Sequence, residues 1–92
     1  MSYSVEQGPR FSKAYKKLHP NQYPEVDQAV AEISQDPAIG VKKVGELAAL
    51  YVHKFECLRQ TMLIGYTKDD QLKLVYLVAL GVRGNFYRDV KR

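Results

Sequence analysis

The chain has 92 residues, of which 46% are hydrophobic and 26% are charged, and its formal net charge is +4. This length and composition predict a single domain over residues 1–92 with its own core, and they exclude a disordered chain or a separate regulatory domain. The single cysteine, Cys57, allows no internal disulfide and no cysteine zinc site, and without an apolar signal segment or a bilayer-length apolar run we expect a cytoplasmic protein with no membrane partner.

The first 37 residues predict a strand followed by a helical hairpin. SYSVEQ alternates weakly and is compatible with a first strand. RFSKAYKKLHP has the spacing of an amphipathic helix that stops at Pro20, and YPEVDQAVAEISQDP predicts a second helix that ends at Asp36-Pro37. The apolar residues with helical spacing are Phe11, Tyr15 and Leu18 in the first helix and Val26, Ala29, Val30 and Ile33 in the second.

The second half predicts three strands after AIGVKKVGELAAL, a connecting segment with little periodicity. YVHKFECLR alternates, with Tyr51, His53, Phe55 and Cys57 on one face and Val52, Lys54, Glu56 and Leu58 on the other. TMLIGYT, the turn KDDQ and the apolar LKLVYLVALG predict an antiparallel meander whose last strand is central in the sheet. With a short helical tail, NFYRDVKR, the order β-α-α-β-β-β predicts an α+β fold.

Positive charge is distributed unevenly along the chain. Residues 18–41 contain four Asp and Glu residues and no Lys or Arg, so every cation lies elsewhere, and such asymmetry favours an anionic partner. In the tail, Arg83, Arg88 and Lys91 surround Phe86 and Tyr87. Aromatic rings beside cations are typical of a core edge with a solvated rim, or of a surface that stacks bases and binds phosphates. Phe86 is the better core candidate and Tyr87 the better surface hydroxyl.

The cations and hydroxyls of the strand-rich half suit one narrow class of chemistry. Cleavage of RNA by its own 2′-OH needs removal of a proton, stabilisation of a phosphorane and protonation of the leaving 5′-oxygen, and Lys, Arg and Tyr can supply these without metal. The candidate catalytic residues are Lys54, Arg59, Arg83 and Tyr87. A passive phosphate-binding patch is equally compatible with them, and Arg59 has the opposite strand parity to Lys54 unless a turn redirects it. No metal or phosphate-loop spacing is present, so we expect no cofactor.

Three motifs, YVHKF, YTKDD and LG-x-x-x-NFYRD-x-KR, resemble those of the RelE/ParE toxin superfamily of bacterial toxin–antitoxin modules. The resemblance extends over nearly the whole chain. Members close to this pattern often contain HENFYRDLKR where this chain has RGNFYRDVKR, so Arg83 and Gly84 replace a histidine and a glutamate.

The resemblance implies a RelE-like, microbial-RNase-like fold, with two helices on one face of a twisted sheet and mRNA on the other, inside the ribosomal A site. It implies a metal-independent, ribosome-dependent mRNA endonuclease that inhibits translation, is silenced by a cognate antitoxin and reaches operator DNA only through the antitoxin complex. By position, Lys54 and Arg59 match the strand cations, and Arg83 and Tyr87 match the C-terminal catalytic arginine and tyrosine. The expected RNA contacts are His53, Phe86, Arg88 and Lys91, although strand parity puts His53 on the opposite face from Lys54.

Two other functions fit the same resemblance. A ParE-type toxin shares the fold but inhibits DNA gyrase and cleaves no RNA, and an inactivated module would hold phosphates without cutting. ParE members generally lack the basic and tyrosine set near the C-terminus, so the tail of this chain favours the endonuclease.

Overall fold

A computed structural model confirms the predicted α+β class. The structure describes residues 2–43, 50–84 and 86. The elements are β1 (Ser4–Gln7), α1 (Pro9–Lys16), α2 (Tyr23–Gln35), β2 (Val41–Lys42), β3 (Tyr51–Cys57), β4 (Gln60–Asp69) and β5 (Leu74–Val82), with short 3₁₀ turns at Pro20–Gln22 and Pro37–Ile39. The five strands form one sheet in the order β1-β5-β4-β3-β2. β1 is parallel to β5, and every other neighbouring pair is antiparallel. In the described part of the chain, neither helix has the length and apolarity to cross a bilayer.

One strand, β2, was not predicted. β2 lies within the segment predicted to be a connection, and its two residues, Val41 and Lys42, pair with Val52 and Tyr51. A strand of two residues is too short to show alternation, which explains why the sequence pattern did not reveal it. Most of the predicted helical tail, NFYRDVKR, lies outside the described residues, although Arg83, Gly84 and Phe86 are helical.

Both helices pack on the same face of the sheet, which we call the helix face. The predicted apolar stripes are confirmed. Cys57 is also buried in this core, and burial raises the pKa of its thiol. The core side chains are Phe11, Val26, Ala29, Ile33, Cys57, Met62, Ile64, Tyr66, Val75, Leu77 and Leu80. The alternation predicted for β3 is also confirmed, because Tyr51 and Phe55 pack against this core and Val52 does not.

A β-bulge in β5 changes which side chains reach each face. Gly65 pairs with Ala79 while Tyr66 pairs with Leu77, so Val78 is an extra residue without a Cα partner on β4. The bulge lets Leu77 and Leu80 both contribute to the core on the helix face, although strict alternation would place them on opposite faces. Residues 79 and 81 therefore point to the face opposite the helices, which we call the open face.

The Tyr66 hydroxyl ties β4 to the segment that leads into β2. The side chain is fully buried, its hydroxyl donates a hydrogen bond to the Pro37 carbonyl oxygen at 2.6 Å, and it accepts one from the Gly40 N–H at 3.0 Å. Burial raises the pKa of Tyr66, so the phenol stays protonated as a donor. A Cβ at position 40 would lie 2.6 Å from this hydroxyl, which requires glycine there.

Replacing Tyr66 by phenylalanine tests this anchor. We expect Tyr66→Phe to lower the free energy of unfolding by about 1–3 kcal/mol, because the Gly40 N–H and the Pro37 carbonyl lose their partner. The matched control is Tyr76→Phe, since the Tyr76 hydroxyl has no hydrogen-bond partner among the described residues, and it should change the value by less than about 0.5 kcal/mol. Urea unfolding of both variants measures this, and equal losses would contradict the anchor.

Candidate functional site

The open face carries a second, smaller apolar cluster. It consists of Leu50, Val52, Leu63, Ala79 and Phe86, with Val78 packed against it. Lys54 lies on this face because it follows Val52 by two residues in β3 and pairs with Leu63 of β4. The open face therefore combines a buried apolar cluster with an exposed cation at its border.

A cavity of about 210 Å³ lies beside this cluster. Its lining residues are Val41, Lys43, Val52, Lys54, Leu63 and Arg83. Lys54 and Arg83 are exposed and form no ion pair with any described residue, so their charges are available to an anion. Two of the four predicted catalytic residues thus share one cavity, and they reach it from different strands: Lys54 from β3, and Arg83 from directly after β5.

Electrostatics in this cavity favour a phosphate or another anion. The side chains that line it supply three cations and three apolar groups, and the described lining contains no carboxylate. The nearest carboxylate along β3 is Glu56 on the same face, and it accepts a hydrogen bond from the Thr61 hydroxyl at 2.8 Å. No group of three or more His, Cys, Asp or Glu side chains able to hold a metal occurs within the described ranges.

Arg59 lies at the tip of the β3–β4 hairpin and does not line the cavity. Leu58 and Arg59 form a two-residue turn between Cys57 and Gln60, with φ angles of 51° and 74°. Positive φ at both turn residues matches the twist of a tight hairpin, but it usually requires Asn or Gly. The turn is at the end of the sheet where β5 also ends, since Met62 pairs with Val82.

His53 and Phe86, two of the predicted RNA contacts, are buried. His53 is 9% exposed on the helix face, and its Nε2 lies 3.4 Å from Oε1 of Glu32 in α2. Phe86 is 1% exposed, which confirms it as a core residue and leaves no free ring face for a base to stack on. Neither side chain is presented to the cavity in this structure.

The remaining predicted residues, Tyr87, Arg88 and Lys91, lie outside the described residues. The structure adds one residue that sequence reasoning missed, Lys43, which lines the cavity after β2. Its signal in the sequence was the Lys42-Lys43 pair after Gly40, but nothing in an apparently irregular segment indicated which lysine would reach the sheet face.

Comparisons with known proteins identify the family and the fold. The family model described as the ParE-like toxin of type II bacterial toxin-antitoxin systems matches residues 5–91. No curated protein sequence matches the chain.

Solved structures with a similar fold come from bacteria and an archaeon. A chain of the toxin–antitoxin complex RelBE2 from Mycobacterium tuberculosis has a TM-score of 0.74 and 24% identity, over 90% of this chain and 100% of that one. A chain of the intact Escherichia coli RelBE complex has a TM-score of 0.70 and 19% identity, over 87% of this chain and 95% of that one. A chain of the archaeal RelE–RelB complex from Pyrococcus horikoshii has a TM-score of 0.64 and 18% identity, over 91% of this chain and 98% of that one. Such identities establish a common fold, and with the family match they place this chain in the RelE/ParE superfamily, as a ParE-like toxin of a type II toxin–antitoxin system.

Proposed function

We propose that this toxin is a metal-independent endoribonuclease that cleaves mRNA on the ribosome and so inhibits translation. The observation that carries the proposal is the cavity on the open face, where Lys54 and Arg83 converge without an ion-pair partner among the described residues. Two exposed cations, one in β3 and one directly after β5, next to an apolar cluster, suit a phosphate in an extended single strand better than they suit a solvated surface.

Each cation has a part in the proposed reaction. The 2′-oxygen attacks the phosphorus, the bond to the 5′-oxygen breaks, and the phosphorane between them carries two negative charges. Arg83 can hold two phosphate oxygens with its planar fork, and Lys54 adds a compact charge from the opposite wall. We assign proton transfer to Tyr87, which follows the described residues of the tail, because a phenol can serve as acid or base near positive charge.

The hairpin tip has a separate role in this proposal. Arg59 is exposed and unpaired within the described part of the chain, and it lies beyond the cavity, at the same end of the sheet as the end of β5. We propose that it binds a neighbouring phosphate of the same strand. It would then contribute to affinity for the mRNA and not to the chemical step.

A cognate antitoxin is the proposed regulator. The solved relatives are themselves toxin–antitoxin complexes, which supports a protein partner of this kind. We propose that the partner covers the open face with an acidic or amphipathic segment, because that face presents Lys54 and Arg83, which have no ion-pair partner among the described residues, beside apolar groups. Contact with operator DNA would occur only through the antitoxin complex.

One observation favours a second function. The matching family model is described as ParE-like, and the resemblance to ParE-type toxins implies inhibition of DNA gyrase without cleavage of RNA. The two functions give different products after expression in cells. Mapping of mRNA 5′ ends should reveal cuts at ribosome-positioned codons if the proposal is correct, whereas cleaved DNA and SOS induction with intact mRNA would establish the gyrase function.

Substitutions in the cavity test the proposed chemistry. We expect Lys54→Ala, Arg83→Ala and Tyr87→Ala each to reduce mRNA cleavage on translating ribosomes on the order of 10²-fold, because each removes a group that acts on the transition state. Growth arrest should disappear while the melting temperature stays within a few degrees of the unmodified protein. Unchanged cleavage by Lys54→Ala and Arg83→Ala would remove the cavity from the mechanism.

Arg59→Gly is the matched comparison for these variants. Glycine removes the guanidinium and adopts the positive φ of 74° without strain, which alanine does not. We expect it to raise the ribosome concentration needed for half-maximal cleavage while leaving the maximal rate unchanged. A loss of maximal rate as large as that of Arg83→Ala would instead assign Arg59 to the chemical step.

Salt dependence separates a phosphate ligand from a protein target. Each phosphate contact with single-stranded RNA contributes a slope of about −0.7 in log affinity against log salt, so Lys54, Arg83 and Arg59 together predict about −2.1. Arg83→Ala should make the slope shallower by about 0.7. Fluorescence anisotropy with a labelled RNA oligonucleotide measures it, and a flat response would argue for a protein target.

The adjacent reading frame tests the proposed regulator. If a short neighbouring gene encodes the antitoxin, its co-expression should abolish growth arrest and mRNA cleavage together. The bound partner should also shield Lys54 from acetylation while leaving Lys13, on the exposed side of α1, reactive. If the antitoxin abolishes toxicity while Lys54 is acetylated as fast as in the free toxin, the partner binds another surface.

A further inference from the structure

We propose that Phe86 is a positioning residue, whose ring lies on Gly65 and thereby holds Arg83 in the cavity beside Lys54. This inference rests on the proposed function for its consequence in catalysis, but its structural part is independent of it. It also gives Phe86 a different role from the RNA contact that the sequence suggested.

The contact between Phe86 and Gly65 depends on the absence of a side chain. A Cβ at Gly65 would lie 2.9 Å from Cζ of Phe86, closer than Cβ atoms approach other atoms in folded proteins, and 3.4 Å from Cδ1 of Leu50, which is an ordinary contact. Gly65 lies within β4 and needs no unusual backbone angle, so space for the ring explains the glycine. The ring is 1% exposed and belongs to the open-face cluster with Leu50, Val52, Leu63 and Ala79.

Arg83 and Phe86 lie close together in the chain, directly after β5. Both are helical and three positions apart, a spacing that puts two side chains on the same side of a helix. The backbone of Phe86 also passes close to β5, since a Cβ at Gly81 would lie 3.8 Å from its Cα. The buried ring therefore holds Phe86 against β4 and β5, three positions after Arg83.

Position matters for a residue that stabilises a transition state. A guanidinium that binds phosphate oxygens with two hydrogen bonds must be aligned with them, and a displacement of about 1 Å can cost on the order of 10²-fold in rate. Arg83 has no ion-pair partner among the described residues that could hold it in place. The apolar contact of Phe86, one turn away, can supply this alignment without neutralising the charge.

Three glycines in the same region provide a graded experiment. Gly65→Ala forces the ring to move, Gly81→Ala brings its Cβ only to an ordinary contact distance of 3.8 Å, and a Cβ at Gly84 meets nothing within 4 Å. We expect Gly65→Ala to lower the maximal rate of mRNA cleavage on ribosomes on the order of 10²-fold, with a smaller change in the half-saturating ribosome concentration. Gly81→Ala and Gly84→Ala should stay within about twofold of the unmodified protein.

Rescue distinguishes positioning from general damage to the fold. Leucine at position 86 lacks the outer ring atoms, so the Gly65→Ala/Phe86→Leu double variant should recover much of the rate that Gly65→Ala loses. If the double variant loses as much cleavage rate as the two single variants added together, the proposal is overturned. A normal cleavage rate for Gly65→Ala alone would also overturn it.

NMR of the free protein makes the test independent of nuclease activity. We expect the Phe86 ring to shift the Gly65 Hα resonances upfield, and we expect nuclear Overhauser effects between Arg83 and Leu63, a shared wall of the cavity. Both signals should persist in Gly81→Ala, and the effects between Arg83 and Leu63 should disappear in Gly65→Ala. If they behave in this way but the unmodified protein cuts no mRNA, the proposed function fails and the positioning contact stands. If Arg83 keeps its contacts in Gly65→Ala, the positioning inference is wrong whatever the activity.

Discussion

Val78 has no partner on β4, and this extra residue allows Leu77 and Leu80 to pack on the same face of the sheet. With strict alternation, Ala79 and Gly81 would point toward the helices together with Val75 and Leu77. The bulge therefore places Leu80 and Val82 on the helix face and Ala79 and Gly81 on the open face, and Arg83 follows β5 in that register.

The open face combines two environments that support each other. Its apolar cluster keeps water away from one side of the cavity, and charges act more strongly across a poorly hydrated space. Its cations come from two strands and lie at the border of that cluster, where an extended polymer can reach them. On the helix face, the Tyr66 hydroxyl fixes the segment before β2, so the wall that carries Val41 and Lys43 is anchored from the core.

Periodicity explains how far the sequence could predict this structure. The two helices and the faces of β3 follow from regular spacing, so the exposure of Lys54 opposite His53 could be foreseen. β2 and the Val78 bulge leave no such trace, because two residues cannot alternate and a bulge interrupts alternation without a distinctive residue. The turn at Leu58 and Arg59 lacks the Asn or Gly that usually announces a tight hairpin, and the direction of Arg59 was therefore open. The cavity brings Lys54 and Arg83 together. The face of Lys54 could be predicted from the alternation of β3, whereas the register of β5 before Arg83 depends on the bulge, which the sequence does not reveal.

The parallel pairing of β1 with β5 has a consequence for synthesis of the protein. Ser4 pairs with Leu74 and Gln7 with Leu77, so the first strand of the sheet must wait for the last. Contacts between residues so far apart in the sequence form late in folding. During synthesis the N-terminus also leaves the ribosome first, so β1 is exposed before β5 is available to pair with it. The sheet therefore closes only when β5 has left the exit tunnel. A toxin built in this way cannot assemble its cationic surface on the ribosome that makes it until β5 has been translated and released from the tunnel.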